Sequence, residues 1–297
     1  MNSIPSEASP KAATPPADVQ AILASVATAA EGGNLVFPTT AELALRVQRL
    51  VDDPDCSIDG LAKLVQADPV LAARVVAVAN SVVYNRSGRA VDDVRSAVSR
   101  LGFNTLRVLA AAVVVRQMES MAGTPAHRKL ALALWEHTAH VAALAQVIAR
   151  RVTKVNPDTA FFAGIIHEIG GFYLIARGGA YPGLLDSPNG SLLPWDEGGA
   201  AAVGRAVLKH LGAPAAVVEA IEGMWAGYLA MPPQSLADTL LLADHLAPIE
   251  SPLSQLAGNG REGTAVDIDV ALDDQTLTSI LDESKLEVES LIDALRA

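Results

Sequence analysis

The segment Phe161–Gly171 places a His-Glu pair inside an apolar run and follows the pair with two glycines. An unpaired charge in apolar surroundings costs free energy, so His167 and Glu168 need partners. They could be ligands of a metal ion. Alternatively, His167 is a core histidine that is hydrogen-bonded to a neighbour, and Glu168 points toward solvent.

Two other segments carry residues of the same chemical kinds. His137 lies within an apolar stripe of helical spacing, and Asp244 lies within the run Leu240–His245. Imidazole and carboxylate ligands suit Mn, Fe, Mg or Zn, which can activate a water molecule for phosphoester hydrolysis. The candidate metal ligands are therefore His137, His167, Glu168 and Asp244.

The elements that position these residues are predicted to be helices, which makes the fold class all-α. Asn156-Pro157-Asp158 has the residue order of a helix start. That helix would run past His167 until Gly170-Gly171 breaks it, bends it, or lets another segment approach its backbone. Thr124-Pro125 begins the long helix that carries His137. Valine runs elsewhere lie between strong helix formers, so no strands are predicted there.

Further signals divide the rest of the chain into helices. Helix starts are predicted at the capping box of Thr39 and Glu42, at Ser57, at Asp68-Pro69, and at the capping box of Ser235 and Asp238. Gly102 and Asn104 separate a helix beginning at Val91 from the very apolar helix Leu106–Met118. The domain prediction is a disordered leader with a short helix (1–33), an N-terminal helical part (34–121), a helical bundle (122–250) and an acidic helical tail (251–297).

Composition excludes several function classes. The 297 residues are 51% hydrophobic with a net charge of −11, which argues against nucleic acid or an anionic membrane as a partner. The uncharged run Val108–Val115 is flanked by arginines and is shorter than the roughly 20 apolar residues of a transmembrane helix. A single cysteine, Cys56, excludes an intrachain disulfide. Without a secretory signal, we expect a soluble, cytoplasmic protein.

The motifs along the chain resemble the HDOD (HD-related output domain) family over roughly residues 35 to 230. The most specific marks are Asp68-Pro69 with Leu71 and Arg74, and Ala79-Asn80-Ser81. Leu134–His137 and Gly164–Gly170 continue the match. The resemblance implies an N-terminal helical part packed on a degenerate HD-type helical bundle. It also implies bacterial signal transduction by a non-catalytic regulatory domain that acts through signalling proteins or a bound small ligand such as a nucleotide. No cofactor and no catalytic residue are then expected, and a homodimer is compatible with the sequence.

The chain departs from the HD pattern at the site itself. Glu168 stands where the superfamily has a metal-binding aspartate, and its extra methylene displaces the carboxylate. Gly171 stands in place of a lysine that would face a phosphate, and the Asp244 match is weaker than the others. These departures predict a vestigial metal site.

Two other functions and one surface stay open at the sequence level. A metal-dependent phosphohydrolase would need the four candidate ligands to converge on one ion. A ligand sensor would keep the old cavity, with Arg177 serving an anion. The polar loop Asn80–Arg89 is either a partner-facing or interdomain surface or a solvated turn.

Overall fold

A computed structural model of the chain describes residues 19–32, 41–180, 185, 199–256, 271–272 and 275–296. This part is helical apart from one pair of two-residue strands, so the all-α prediction is confirmed. The helices are α1 (Val19–Glu31), α2 (Ala41–Val51), α3 (Ile58–Gln66), α4 (Pro69–Ala79), α5 (Val94–Ser120), α6 (Pro125–Ile148), α7 (Pro157–Ile166), α8 (Ile169–Arg177), α9 (Gly199–His210), α10 (Ala215–Trp225), α11 (Leu236–Leu246), α12 (Pro252–Leu256), α13 (Leu277–Glu283) and α14 (Lys285–Arg296). The antiparallel strands are β1 (Ala271–Leu272) and β2 (Gln275–Thr276).

Capping side chains begin the helices at five of the predicted points, two of which are Thr124 and Asn156. The Ser57 hydroxyl accepts the Gly60 N–H at 3.1 Å, and the Asp68 carboxylate accepts the Leu71 N–H at 2.8 Å. The capping box of Ser235 and Asp238 is present in both directions. Thr39, the predicted leader and most of the connection after α8 lie outside the described residues.

The long helix α5 links the two helical halves of the molecule. It packs against α2, α3 and α4 on one side and against α7 and α8 on the other. Its run Val108–Val115 is buried throughout, which explains why the run is apolar on every face. The predicted boundary between 34–121 and 122–250 therefore falls just beyond a helix that contacts both parts, and the boundary stays a prediction.

A single glycine produces the break predicted within α5. Gly102 has φ 77° and ψ 172°, a conformation that glycine adopts without the steric cost other residues pay. Asn104 is already inside the second helical segment, so the prediction that both residues separate the two helices was wrong for Asn104. The first segment begins at Val94 behind the N-cap Asp93, three residues after the predicted Val91.

Two apolar helical stretches, Val94–Ser120 and Pro157–Ala180, are long enough to cross a membrane by length and composition alone. In the folded chain, 67% and 83% of their apolar windows are buried against other helices. Buried core helices of soluble proteins pass the same test, so these two stretches are weak support for a membrane span.

Both ends of the described chain dock on the bundle. Helix α1, whose partner the sequence does not reveal, packs against α9. Helix α14 in the acidic tail packs against α6 and α4, and its Leu291 and Leu295 are fully buried. The tail helix therefore covers an apolar face.

Candidate metal centre

Helices α6 and α11 and the junction between α7 and α8 bring the four candidate ligands toward one point. His137 lies in the middle of α6, and Asp244 lies in the last turn of α11. His167 ends α7, and Glu168 precedes the first residue of α8. Three different helical segments thus supply the side chains.

The break between α7 and α8 is not at the position predicted. The sequence places it at Gly170-Gly171, whereas these glycines lie inside α8 and the helix ends at His167, with Glu168 at φ −108° and ψ 22°. The glycines serve the other predicted purpose, which is close approach. A Cβ at Gly171 would clash with Leu253 Cδ1, so Leu253 lies directly on the glycine backbone.

The donor atoms of three candidate ligands lie close together. His137 Nε2 is 3.2 Å from Asp244 Oδ1 and 3.4 Å from His167 Nε2. One ligand atom from each of these three residues lies within 4.8 Å of the others. The fourth candidate, Glu168, is at the margin, with Oε2 3.9 Å from His137 Nε2.

Backbone hydrogen bonds determine which nitrogen of each ring faces the cluster. His137 Nδ1 lies 2.8 Å from the Ile249 carbonyl oxygen, and His167 Nδ1 lies 2.7 Å from that of Gly164. A carbonyl only accepts, so both Nδ1 atoms carry a proton and donate it. In the neutral rings both Nε2 atoms then carry a lone pair, and these lone pairs face each other and the Asp244 carboxylate. Such an arrangement requires a cation, either a proton or a metal ion.

A proton on His137 satisfies this requirement when no metal is bound. Burial lowers the pKa of His137, but the hydrogen bond to Asp244 and the negative charges of Glu168 and Asp244 outweigh it and raise the pKa to about 9. Burial lowers the pKa of His167, and the charge on His137 lowers it further. At neutral pH the His137 ring is therefore protonated and positively charged, whereas the His167 ring is neutral. The two Nε2 atoms thus have one proton between them.

A segment after α11 closes over the cluster. The Ile249 carbonyl accepts from His137, and Ser251 Oγ donates to Glu168 Oε1 at 2.6 Å. The side chain of Leu253 lies on Gly171, and both Ser251 and Leu253 are buried. The two histidines are 0% and 2% exposed, so this segment and the helices seal them from solvent.

The donor set fits a divalent metal ion in type and approximate spacing. Metal–ligand bonds of about 2.0–2.2 Å place neighbouring donors about 3 Å apart, as the two short distances at His137 Nε2 are. Glu168 Oε2 is buried and has no hydrogen-bond partner within the described part of the chain, so it is an acceptor that a cation would satisfy. His137, His167 and Asp244 are the residues that would hold the ion, with Glu168 beside them.

Sequence reasoning missed the closing segment. Ser251-Pro252 is a helix-start signal, and Ser251 Oγ accepts the Leu253 N–H at 3.2 Å at the start of α12. No spacing pattern shows that the same hydroxyl would reach Glu168, because the two residues are 83 positions apart. Arg177, proposed for a ligand in the old cavity, is at the far end of α8, about 12 Å along the helix from Ile169.

Comparison with known proteins identifies relatives by sequence profile and by structure. The profile of the HDOD domain matches residues 37–185, half of the chain. No curated protein sequence is significantly similar.

Solved structures share the fold at low sequence identity. A candidate metal-dependent phosphohydrolase from Shewanella amazonensis superposes with TM-score 0.69 and 24% identity, over 93% of this chain and 99% of that one. An HDOD domain protein of unknown function from Geobacter sulfurreducens has TM-score 0.61 and 23% identity, over 94% and 99%. A candidate signal transduction protein from Marinobacter aquaeolei has TM-score 0.55 and 21% identity, over 94% of this chain and 65% of that one. At these identities the likeness establishes the fold alone.

Proposed function

The chain belongs to the HDOD domain family, and on that premise we propose that it is a non-catalytic regulatory domain in signal transduction. It acts through protein partners or a bound small ligand, and its HD-type cluster is part of the architecture. The observation that carries this proposal is the packing of residues 249–253 against the cluster. Ile249 and Ser251 hydrogen-bond two of the four candidate ligands, and both histidines are buried. The segment thus shields the histidines, whereas the side chains of Glu168 and Asp244 keep 16% and 26% of their surface exposed.

Apolar side chains occupy the place where the HD superfamily often has a lysine. Gly171 occupies that position, and a side chain there would meet Leu253 and also Leu134, whose Cδ2 would be 3.4 Å from the added Cβ. A positive group at this point would stabilise the charge that develops on a phosphate. Apolar packing occupies the place instead, which favours an architectural role.

The decisive experiment is a phosphodiesterase assay on the full chain with bis(p-nitrophenyl) phosphate and added Mn²⁺. We expect no hydrolysis above that of the Asp244→Asn variant, because both histidines are buried and the lysine of the HD superfamily is absent. Circular dichroism on both proteins controls for folding. Turnover by the wild type that Asp244→Asn abolishes would contradict the proposal.

Complementation tests the regulatory role in the cell. If the domain is non-catalytic, the folded Asp244→Asn variant should correct the phenotype of a strain that lacks the gene, to the same degree as the wild-type protein does. Failure of this variant to complement, at equal protein abundance, would contradict a purely architectural cluster.

A metal-dependent phosphohydrolase is the second candidate, because three acceptor atoms converge where only a cation can satisfy them. A divalent ion held by His137, His167 and Asp244 would supply an activated water and a Lewis acid. This chain's own residues would orient the ion through the two Nδ1–carbonyl hydrogen bonds, and Ser251 would hold Glu168 beside it.

Metal content separates the two candidates. After incubation with Mn²⁺, Fe²⁺, Mg²⁺ or Zn²⁺ and desalting, the second candidate predicts about one ion per chain in the wild type and none in His167→Ala. Retained metal together with hydrolysis would replace the regulatory proposal. Retained metal without hydrolysis would make the ion part of the fold and leave the regulatory role in place.

A further inference from the structure

A pocket of about 480 Å³ lies between the loop that follows α4 and the helical bundle, away from the metal centre. The loop contributes Tyr84, Arg86 and Ser87, and the bundle contributes Gln146 and Asp158, among others. Its volume lies within the range of pockets that hold small molecules.

Hydrogen bonds hold the loop in a defined shape over the pocket. The Asn80 side chain donates to the Val91 carbonyl at 2.7 Å and accepts the Val91 N–H at 2.8 Å. Arg100 donates to the carbonyls of Ala79 and Arg89 at 3.0 and 2.8 Å. The loop that the sequence singled out is thus a braced wall of the pocket, which favours a pre-formed site.

Gln146, one of the residues that line the pocket, carries an unsatisfied acceptor. Gln146 is 2% exposed, and its Nε2 donates to the Tyr84 hydroxyl at 2.8 Å. That hydroxyl donates in turn to Asp158 Oδ1 at 3.2 Å, so it has no second proton for Gln146. Among the residues that the structure describes, Gln146 Oε1 has no hydrogen-bond partner. Buried acceptors are nearly always paired, so this oxygen is suited to an N–H donor brought by a ligand.

Two arginines and one carboxylate, that of Asp158, line the pocket. Arg86 is exposed and forms no ion pair with the residues the structure describes, and Arg150 is partly buried beside its partner Glu287. Guanidinium groups bind phosphate through charge-assisted hydrogen bonds. Val83 and Pro157 add apolar surface to the lining, which suits a flat ring.

We propose that this pocket binds a nucleoside monophosphate, with an N–H of the base donating to Gln146 and the phosphate at Arg86 and Arg150. A ligand there would contact both the braced loop and the first turn of α7, whose other end is His167. About 13 Å along α7 separates Asp158 from His167, so this site is distinct from the metal centre.

Binding of AMP, GMP, CMP and UMP to the full chain, measured by isothermal titration calorimetry, tests the proposal. We expect at least one nucleotide to bind saturably and Arg86→Ala to weaken it by about tenfold or more. The matched control is Arg89→Ala, because this exposed arginine belongs to the same loop but does not line the pocket. A dissociation constant above about 1 mM for every one of the four nucleotides would overturn the proposal, and so would equal affinity in the wild type and Arg86→Ala.

The Gln146→Met variant gives a second readout, the melting temperature of the free protein. The substitution removes the unpaired acceptor and also the Nε2 hydrogen bond to Tyr84, two effects of opposite sign, so we expect little change in melting temperature and a fall in nucleotide affinity. A lower melting temperature with unchanged affinity would assign Gln146 to the structure alone and overturn its role in binding.

Discussion

The Nε2 atoms of His137 and His167 and the carboxylate of Asp244 share a single proton, which makes the stability of the fold depend on pH. His137 has a pKa raised from 6.5 to about 9 in the folded chain, because the effects of Asp244 and Glu168 exceed that of burial. The folded state therefore binds this proton more tightly than the unfolded state does. The resulting stabilisation is fully present below pH 6.5 and is lost as the pH rises toward 9.

The prediction at this scale concerns the difference between the wild type and His137→Gln. In the metal-free protein, the free energy of unfolding should favour the wild type by up to about 3 kcal/mol near pH 6, and this advantage should shrink between pH 6.5 and 9. Urea titrations at several pH values measure it. The control is His245→Gln, since His245 is exposed and its ring is outside the cluster. A difference that stays constant over this range would contradict the shared proton.

At the scale of elements, the close approach of α6 and α7 sets the distance between the two histidines. Gly164 on α7 lies against Ala142 on α6, so that an added Cβ would be 2.5 Å from Ala142 Cα. The contact is with backbone, which cannot move aside as a flexible side chain can. The Gly164 carbonyl also accepts the His167 Nδ1 hydrogen bond, so one residue determines both helix spacing and ring orientation.

Replacement of Gly164 by alanine should therefore separate the helices. We expect Gly164→Ala to lower the free energy of unfolding by about 1–3 kcal/mol or more, measured by urea denaturation. Gly123→Ala is the matched control, because its added Cβ would be at an ordinary 3.8 Å from Gly179. Equal stability of the two variants would contradict the close contact.

At the scale of the whole molecule, α14 joins parts of the chain that are distant in sequence. Its Ser290 hydroxyl accepts the Val82 N–H of the loop at 3.0 Å, and Glu287 pairs with Arg150 after α6. Arg296 pairs with Glu136 on α6 itself. Surface ion pairs contribute little, so the buried leucines of α14 provide most of its docking energy.

Truncation of one such leucine tests the docking of the tail. Leu291→Ala should lower the free energy of unfolding by about 2–5 kcal/mol, because Leu291 is fully buried. Leu286→Ala on the same helix should change it by less than about 0.5 kcal/mol, since Leu286 is 73% exposed. Chemical denaturation of both variants measures the two effects. A small loss in Leu291→Ala would mean that α14 is docked more loosely than the structure shows.

The sequence by itself determined the helical class and most helix starts, because capping residues and apolar periodicity act within a few residues of one another. Ser57, Asp68 and Ser235 all cap the helices predicted for them. The sequence also identified the four candidate residues of the cluster, because histidine and acidic side chains inside apolar helices cost free energy unless they have partners.

The tertiary structure alone decided how those residues meet. The helix break at His167 and Glu168, the reach of Ser251 to Glu168 and the packing of Leu253 on Gly171 all depend on contacts between distant segments. The same holds for the pocket, where a loop after α4 meets Gln146 on α6. Such contacts follow from the simultaneous burial of many apolar faces, and no local pattern of residues encodes which segments will meet.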